Sequence, residues 1–219
     1  FLPSPTDILR TGFELYRDGS LVAHTRASTF VIFSGWALAA VLAVPLGILM
    51  GSFKVVEALI EPVVDFVRYL PVSALIPLLI LYIGIGTAEK IAVIFIGTFF
   101  QLILLVADVS AHVSKDLLDA AYNLGASRAH VITRVLIPAT LPGVMDNLRI
   151  TMGWAWTYLV VAELVAADRG LGYLILDSMR GLFTDTIFVG LMVIGLLGLV
   201  TDQFFKWLHR VLLPWSPKV

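Results

Sequence analysis

The chain has 219 residues, 59% hydrophobic and 14% charged, with a mean hydropathy of +0.94 and a formal net charge of −1. Soluble domains carry about 25% charged residues, so the shortfall points to a membrane protein, and the near-neutral charge gives no reason to expect a nucleic-acid partner. Cysteine is absent, which excludes disulfides and thiolate metal sites.

Leu2-Pro3-Ser4-Pro5 is an extended or turn segment, because each proline biases its predecessor away from helix. Ile8, Leu9, Phe13 and Tyr16 then fall on one helical face, which predicts a surface or interfacial helix over Asp7–Tyr16. From Ala27 to Phe53 no Lys, Arg, Asp or Glu occurs, long enough for a transmembrane span. Gly47 and Gly51 near its end permit close helix packing, or simply flexibility beside Pro45. Glu57, Glu61, Asp65 and Arg68 follow at helical spacing, and Asp65 can pair with Arg68 at i,i+3. Tyr69–Ala88 reads as a second span containing Pro71 and Pro77, closed by a tight turn at Glu89-Lys90. Ser73 and the proline kinks are possible features of a path. Ile91–Ala107 is a third span. Its polar Gln101 is more often an interhelical hydrogen-bonding group than a solute ligand.

Ser114–Pro138 is a polar island between apolar blocks, carrying Lys115, Asp116, Asp119, Arg128, His130 and Arg134. Two short helices are expected in it. Ser114 is an N-cap, Asp116 sits in the first turn, Gly125 terminates the first helix, Ser127 caps the second and Pro138 interrupts it. Such an island must lie outside the hydrocarbon. The plain alternative is an amphipathic surface helix in some unrelated membrane protein. A fourth span follows, broken by Asp146, Asn147 and Arg149 and closed by Glu163. Trp156 and Glu163, seven residues apart, share a face. Glu163 is read first as an interhelical or boundary carboxylate and second as a path residue. Asp168-Arg169-Gly170-Leu171-Gly172 is a polar turn entering an amphipathic piece. Thr186–Thr201 is the last span, followed by Asp202 and a basic tail, with Trp207 and Trp215 suited to an interface.

Nothing catalytic stands out. There is no G-x-x-x-x-G-K-[ST], no G-x-S-x-G, and His24, His112, His130 and His209 have no metal-ligand spacing. The polar island is a surface that something could bind, and the chain carries no nucleotide-binding loop of its own. A stand-alone secondary transporter or channel is the alternative, although no internal repeat is evident. A purely structural membrane subunit is a third reading.

Asp119-Ala120-Ala121, Gly125 and Val135-x-Ile137-Pro138 resemble the cytoplasmic loop signature of ABC-importer permease subunits, with Asp119 where that family usually has Glu. The Leu-Pro-Ser-Pro start, Gly153-Trp154-Ala155-Trp156 through Glu163, the Gly-Leu-Gly turn, and Asp202 with Leu213-Pro214-Trp215 extend the likeness from about Leu2 to Trp215. The closest resemblance is to the nitrate, sulfonate, bicarbonate and taurine branch. It implies an all-α polytopic bundle of the type I ABC importer fold, with five spans here and a sixth expected upstream. Residues 1–26 would be an external segment and helix, 27–215 the transmembrane domain with a cytoplasmic coupling loop at about 109–137, and 216–219 a cytoplasmic tail.

The resemblance further implies a non-catalytic subunit in a bacterial inner membrane that carries no cofactor. A second permease copy, two ATPase subunits holding ATP and Mg, an external binding protein or lipoprotein and membrane lipid would be its partners. The cargo would be a small anion. Asp119, Ala120, Ala121, Leu124, Gly125 and Ala126 would contact the ATPase, while Arg68, Arg149 and Glu163 are candidates for the path. In this orientation Lys54, Lys115, Arg128, Arg134, Lys206, Arg210 and Lys218 lie inside. Arg10, Arg17, Arg26, Lys90, Arg169 and Arg180 lie outside, so the positive-inside bias is weak.

Overall fold

Apolar chain in lipid must satisfy its backbone internally, which leaves the helix as the simplest solution. The computed structural model describes residues 2–166 and 168–216. Phe1, Ala167 and the tail residues Pro217, Lys218 and Val219, with the cation assigned to Lys218, lie outside the described residues. In chain order the helices are α1 (Pro5–Arg17), α2 (Ser20–Ser52), α3 (Lys54–Arg68), α4 (Val72–Ile83), α5 (Thr87–Ala111), α6 (Lys115–Asn123) and α7 (Arg128–Val131). A π-helical turn (Ile132–Leu136) leads into α8 (Ile137–Ala166), followed by α9 (Leu171–Arg180) and α10 (Thr184–Leu212). No strand occurs among the described residues.

The central contact is α2 on α5. A Cβ added at Gly35 would lie 2.8 Å from Ile94 Cβ, at Gly47 2.7 Å from the Ile103 carbonyl oxygen, and at Gly51 2.2 Å from that of Ala107. The contact positions rise together along both helices, so α2 and α5 are parallel. Small residues let the two backbones approach where lipid offers no hydrophobic drive to associate. Gly47 and Gly51 are therefore a packing seam rather than a flexible point.

Parallel neighbours need a return crossing, and α3 with α4 supplies it as a pair bent by 96°. The expected span over Tyr69–Ala88, kinked at its prolines, is thus only the second limb of a sharply bent pair that begins at Lys54. Pro71 lacks the N–H that would continue α3, and α4 stops after 12 residues at Gly84, whose φ is +89°. Glu89 and Lys90 are likewise not a turn. They lie in the first turn of α5, and both are buried. Helices α2, α5 and α10 are each long and apolar enough to cross a membrane, and the bent pair makes a fourth crossing. Helix α8 has 30 residues and lies antiparallel on α5, with Gly97 under Tyr158 and Gly143 against Val109. By length and composition α8 is not among the helices apolar enough to cross alone, so the described residues give up to four such crossings where five were expected, and two polar residues of α8 are held by neighbours. Asn147 Nδ2 donates to the Leu105 carbonyl at 2.9 Å, and Arg149 pairs with Asp202 of α10, which also holds Lys206 at 2.9 Å.

Pro138 does not break the chain's second polar helix as expected. It stands in the first turn of α8, directly after a π-helical turn that accommodates its missing N–H. The preceding π turn keeps the helix continuous, with the Ile137 N–H reaching back to the Ile132 carbonyl.

At the opposite end from the polar island, three consecutive N–H groups at the α9 N-terminus are taken by three side chains. Gly170 donates to His24 Nδ1 at 3.1 Å, Leu171 to Ser28 Oγ at 2.8 Å and Gly172 to Glu163 Oε2 at 2.7 Å. The Ser28 hydroxyl donates in turn to the Glu163 carboxylate at 2.7 Å. Glu163 is 1% exposed. This latch ties α2, α8 and α9 together and sets a carboxylate at a helix N-terminus, where the dipole favours it. Gly170 has φ +127°, and a Cβ there would lie 2.2 Å from Glu163 Oε1. Helix α1 packs on α10 beside this end, with the Thr11 hydroxyl donating to Asp185 at 2.6 Å. A capping box starts it, and the Ser4 hydroxyl and N–H hold the Asp7 carboxyl below the usual carboxylate range.

Two stability outcomes follow, each read as thermal unfolding of the detergent-purified protein. Gly51→Ala overpacks the seam and is expected to cost about 1–3 kcal/mol. Gly198→Ala, which meets nothing within 4 Å, is expected to be neutral or slightly stabilising. Glu163→Ala is expected to cost on the order of 1–3 kcal/mol for each buried donor left unpaired, and Glu163→Gln less, because its amide oxygen still accepts from Gly172.

Candidate functional site

The polar island folds into an elbow. Helix α6 begins at Ser114, whose backbone rather than side chain satisfies the first turn. It ends in a Schellman arrangement. Gly125 takes φ +82°, its N–H bonds the Tyr122 carbonyl at 2.9 Å, and the Ala126 N–H bonds that of Ala121 at 3.1 Å. Ser127 caps α7 and its hydroxyl lies 2.9 Å from His130 Nδ1. No residue of α6 is buried, and Leu124 beyond it is 88% exposed. Asp119, Ala120 and Gly125 are exposed, and Ala121 and Ala126 half-buried. Two anchors fasten the elbow to the bundle. Val131 and Leu136 are buried, and the Arg128 guanidinium sits 5.4 Å from the Phe53 ring centroid at the end of α2.

Two cavities flank the bent return crossing. One, of about 340 Å³, lies inside the bend and is lined by Arg68, Pro71, Ser73, Gly97, Gln101 and Tyr158 among others. The second, of about 520 Å³, opens toward the elbow end, where Glu57, Glu61, Asp65, Arg68, Gln101 and Asp108 line it. Arg68 Nε lies 3.0 Å from Asp65 Oδ1 without an aligned hydrogen bond, while Nη2 donates to the Tyr69 hydroxyl at 3.0 Å. The expected Asp65–Arg68 pair is therefore present.

The three candidate path residues separate. Arg68 lines both cavities. Arg149 lines neither of these two, and its guanidinium is held by Asp202. Glu163 lines neither and is consumed by the latch. Gln101, read from the sequence as an interhelical hydrogen-bonding group in preference to a solute ligand, faces both cavities, and its amide has no protein partner among the described residues. A single polar side chain in an apolar helix was the available signal, but it could not distinguish a cavity from a neighbouring helix. His24 and Ser28 were missed because a histidine or serine in an apolar run gives no hint of which turn it meets. Among the described residues no cluster of His, Asp and Glu is arranged to hold a metal ion.

Residues 43–213 match the family described as binding-protein-dependent transport system inner membrane component. The chain is 39% identical over 217 residues to a probable ABC transporter permease protein of Brucella abortus, covering 99% of this chain and 87% of that one. It is 33% identical over 224 residues to the taurine transport system permease protein TauC of Escherichia coli, covering 100% and 82%. With the putative aliphatic sulfonates transport permease protein SsuC of Bacillus subtilis it shares 34% identity over 214 residues, covering 98% and 78%. In fold it is similar to a chain of the inward-facing MetNI methionine ABC transporter, with a TM-score of 0.76 at 19% identity, covering 88% of this chain and 95% of that one. The bundle thus has the type I importer permease fold that the loop signature implied. The chain belongs to the binding-protein-dependent transport system inner membrane component family and is a membrane-embedded, non-catalytic permease component of an ABC transporter.

Proposed function

We propose that this permease lines the path of an ATP-driven importer for small sulfonates such as taurine, and that separate ATPase subunits drive it through the α6 elbow. The observation that carries this is the elbow's surface. A short polar helix with no buried residue, ended by a glycine in the left-handed region and an 88% exposed leucine, is held at one end of a lipid-embedded bundle. Ala120 and Ala121 let another backbone come close, Leu124 is a knob for an apolar socket, and Asp119 is a free charge at the rim. A permanently exposed leucine fits a partner surface better than water.

Two copies of the chain would enclose the path, two ATPase subunits would hold ATP and Mg, and an external binding protein or lipoprotein would choose the solute. Exposed Val55, Leu59, Leu81 and Tyr82 on the bent pair suit burial against lipid or the second copy. Closure of the ATPases would move both elbows and switch the side from which the path is open. This arrangement sets the elbow in the cytoplasm, the α1 end outside, and the whole chain in a bacterial inner membrane. The Escherichia coli and Bacillus subtilis relatives favour taurine and aliphatic sulfonates over nitrate or bicarbonate as cargo. The stand-alone carrier, channel and structural-subunit readings lose their support from the family membership.

Leu124→Asp tests the elbow. The variant is expected to melt with the wild type, since Leu124 packs against nothing, while co-purification of the ATPase subunits falls at least about tenfold. Full co-purification with unaltered ATP hydrolysis would remove the docking role. For the cargo, proteoliposomes holding the whole complex and its binding protein are expected to accumulate labelled taurine only with ATP inside the compartment of the elbow. A tenfold excess of nitrate should leave that uptake unchanged, whereas strong competition by nitrate would reassign the cargo.

A further inference from the structure

Among the described residues, Arg68 and Gln101 alone line both cavities. They form the wall between the chamber inside the bend and the chamber that opens toward the elbow. Gly97, Gln101, Leu104 and Asp108 follow one another on α5 at intervals of four, three and four residues. One helix face therefore runs through both chambers. The Gln101 amide, in an apolar helix, has no hydrogen-bond partner among the described residues. Leaving such a group dry costs free energy, so its place is beside water or a polar solute.

The two chambers differ in charge. Among the described residues, Arg68 alone brings a charge to the chamber in the bend. Toward the elbow, Glu57, Glu61, Asp65 and Asp108 face Arg68 and His112, and Asp108 lies 3.3 Å from His112 Nδ1. Asp65 holds Arg68 from the acidic side without an aligned hydrogen bond, so the guanidinium can exchange that partner for an incoming oxyanion.

From this geometry we infer that Arg68 and Gln101 together form the anion-selecting constriction of the path, and that the row of carboxylates beyond it disfavours return of the anion. The inference rests on the permease reading above and adds to it a place of selection. An oxyanion with several oxygens, such as a sulfonate, takes a bidentate or end-on bond from Arg68 and a further N–H from Gln101. As it leaves, Asp65 recaptures Arg68. The acidic chamber lowers the anion's residence there, which favours release toward the elbow.

The chain contains no cysteine, so Gln101→Cys places a single thiol in it. The complete complex with its ATPase subunits, in proteoliposomes, is treated with two methanethiosulfonates of similar size, one bearing a sulfonate and one a trimethylammonium group. Modification of this chain is followed by mass. Both reagents are expected to modify Cys at this position. Adding Arg68→Gln should lower the rate ratio of anionic to cationic reagent about tenfold, Asp65→Asn should raise it, and Arg68→Lys should preserve it. A residue that only props the helices apart would not move this ratio. A thiol unmodified with and without ATP, or a ratio indifferent to Arg68→Gln, overturns the inference. Stimulated ATP hydrolysis of the complex with Arg68 and Gln101 intact, measured without reagent, reports the elbow separately. Loss of that stimulation with the charge ratio still responsive would count against the docking and not against the constriction.

Discussion

Backbone-to-backbone contact between α2 and α5 sets the rest of the architecture. Gly35, Gly47 and Gly51 leave no room for a β-carbon against Ile94, Ile103 and Ala107, and the contact positions run in the same sense along both helices. Two parallel helices joined in sequence need a crossing between them. The 34 residues from Phe53 to Gly86 provide it with a proline-interrupted, sharply bent pair rather than a straight rod. A straight helix would have packed flat against α5. The bent one touches α5 through Ile76 on Val93, and the two cavities are the space left on either side of the bend. The glycine seam is thus the reason that Arg68, at the end of α3, and Gln101, halfway down α5, look into the same opening.

The two ends of the bundle are built on opposite principles. At the latch three backbone N–H groups and the Ser28 hydroxyl all find acceptors, one histidine and one carboxylate among them. This is a rigid junction, because breaking any member leaves a buried polar group without water to replace it. At the elbow the backbone closes on itself through the Gly125 cap, while the side chains of α6 are left facing outward. A helix with no buried side chain and only Leu118 and Ala121 half-buried leaves most of its surface to whatever binds it.

How much of this was legible in the residues differs by feature. The elbow was legible, because charge density, Ser127, Gly125 and the small pair Ala120-Ala121 are local signals, and a helix cap needs only its own neighbours. Helix existence was legible wherever apolar runs were long. The bend at Tyr69–Pro71 was read as a kink within one span, because sequence shows that a proline is present but not whether lipid or a neighbouring helix takes up the freed carbonyls. Glu89-Lys90 was read as a turn for a similar reason. Paired charges look like solvent until tertiary packing buries them. Arg149 and Glu163 were candidates for the path on charge alone, and only the positions of Asp202 and the Gly170–Gly172 backbone show that each is occupied structurally. Gln101 had the reverse fate, since a lone amide is legible as unusual but its empty surroundings exist only in three dimensions.

The geometry also explains how work at the elbow can reach the opening without a relay of side chains. Helix α5 carries Gln101, lines the acidic chamber at Asp108, and ends at Ala111, with three residues before α6 starts. At 1.5 Å per residue the constriction is about 15 Å from the helix end. A helix resists stretching far more than it resists tilting. Displacing α6 therefore moves the far part of α5 as a rod about its glycine seam with α2, and rotates or shifts the face that bears Gln101. Helix α8 is the second rod, tied to the elbow through Val131 and the π turn and to α9 through the latch. On the proposed reading the two rods bracket the constriction from both sides. A movement that the ATPases impose at one end of the bundle then arrives at Arg68 and Gln101 as a change in the width and lining of a single opening.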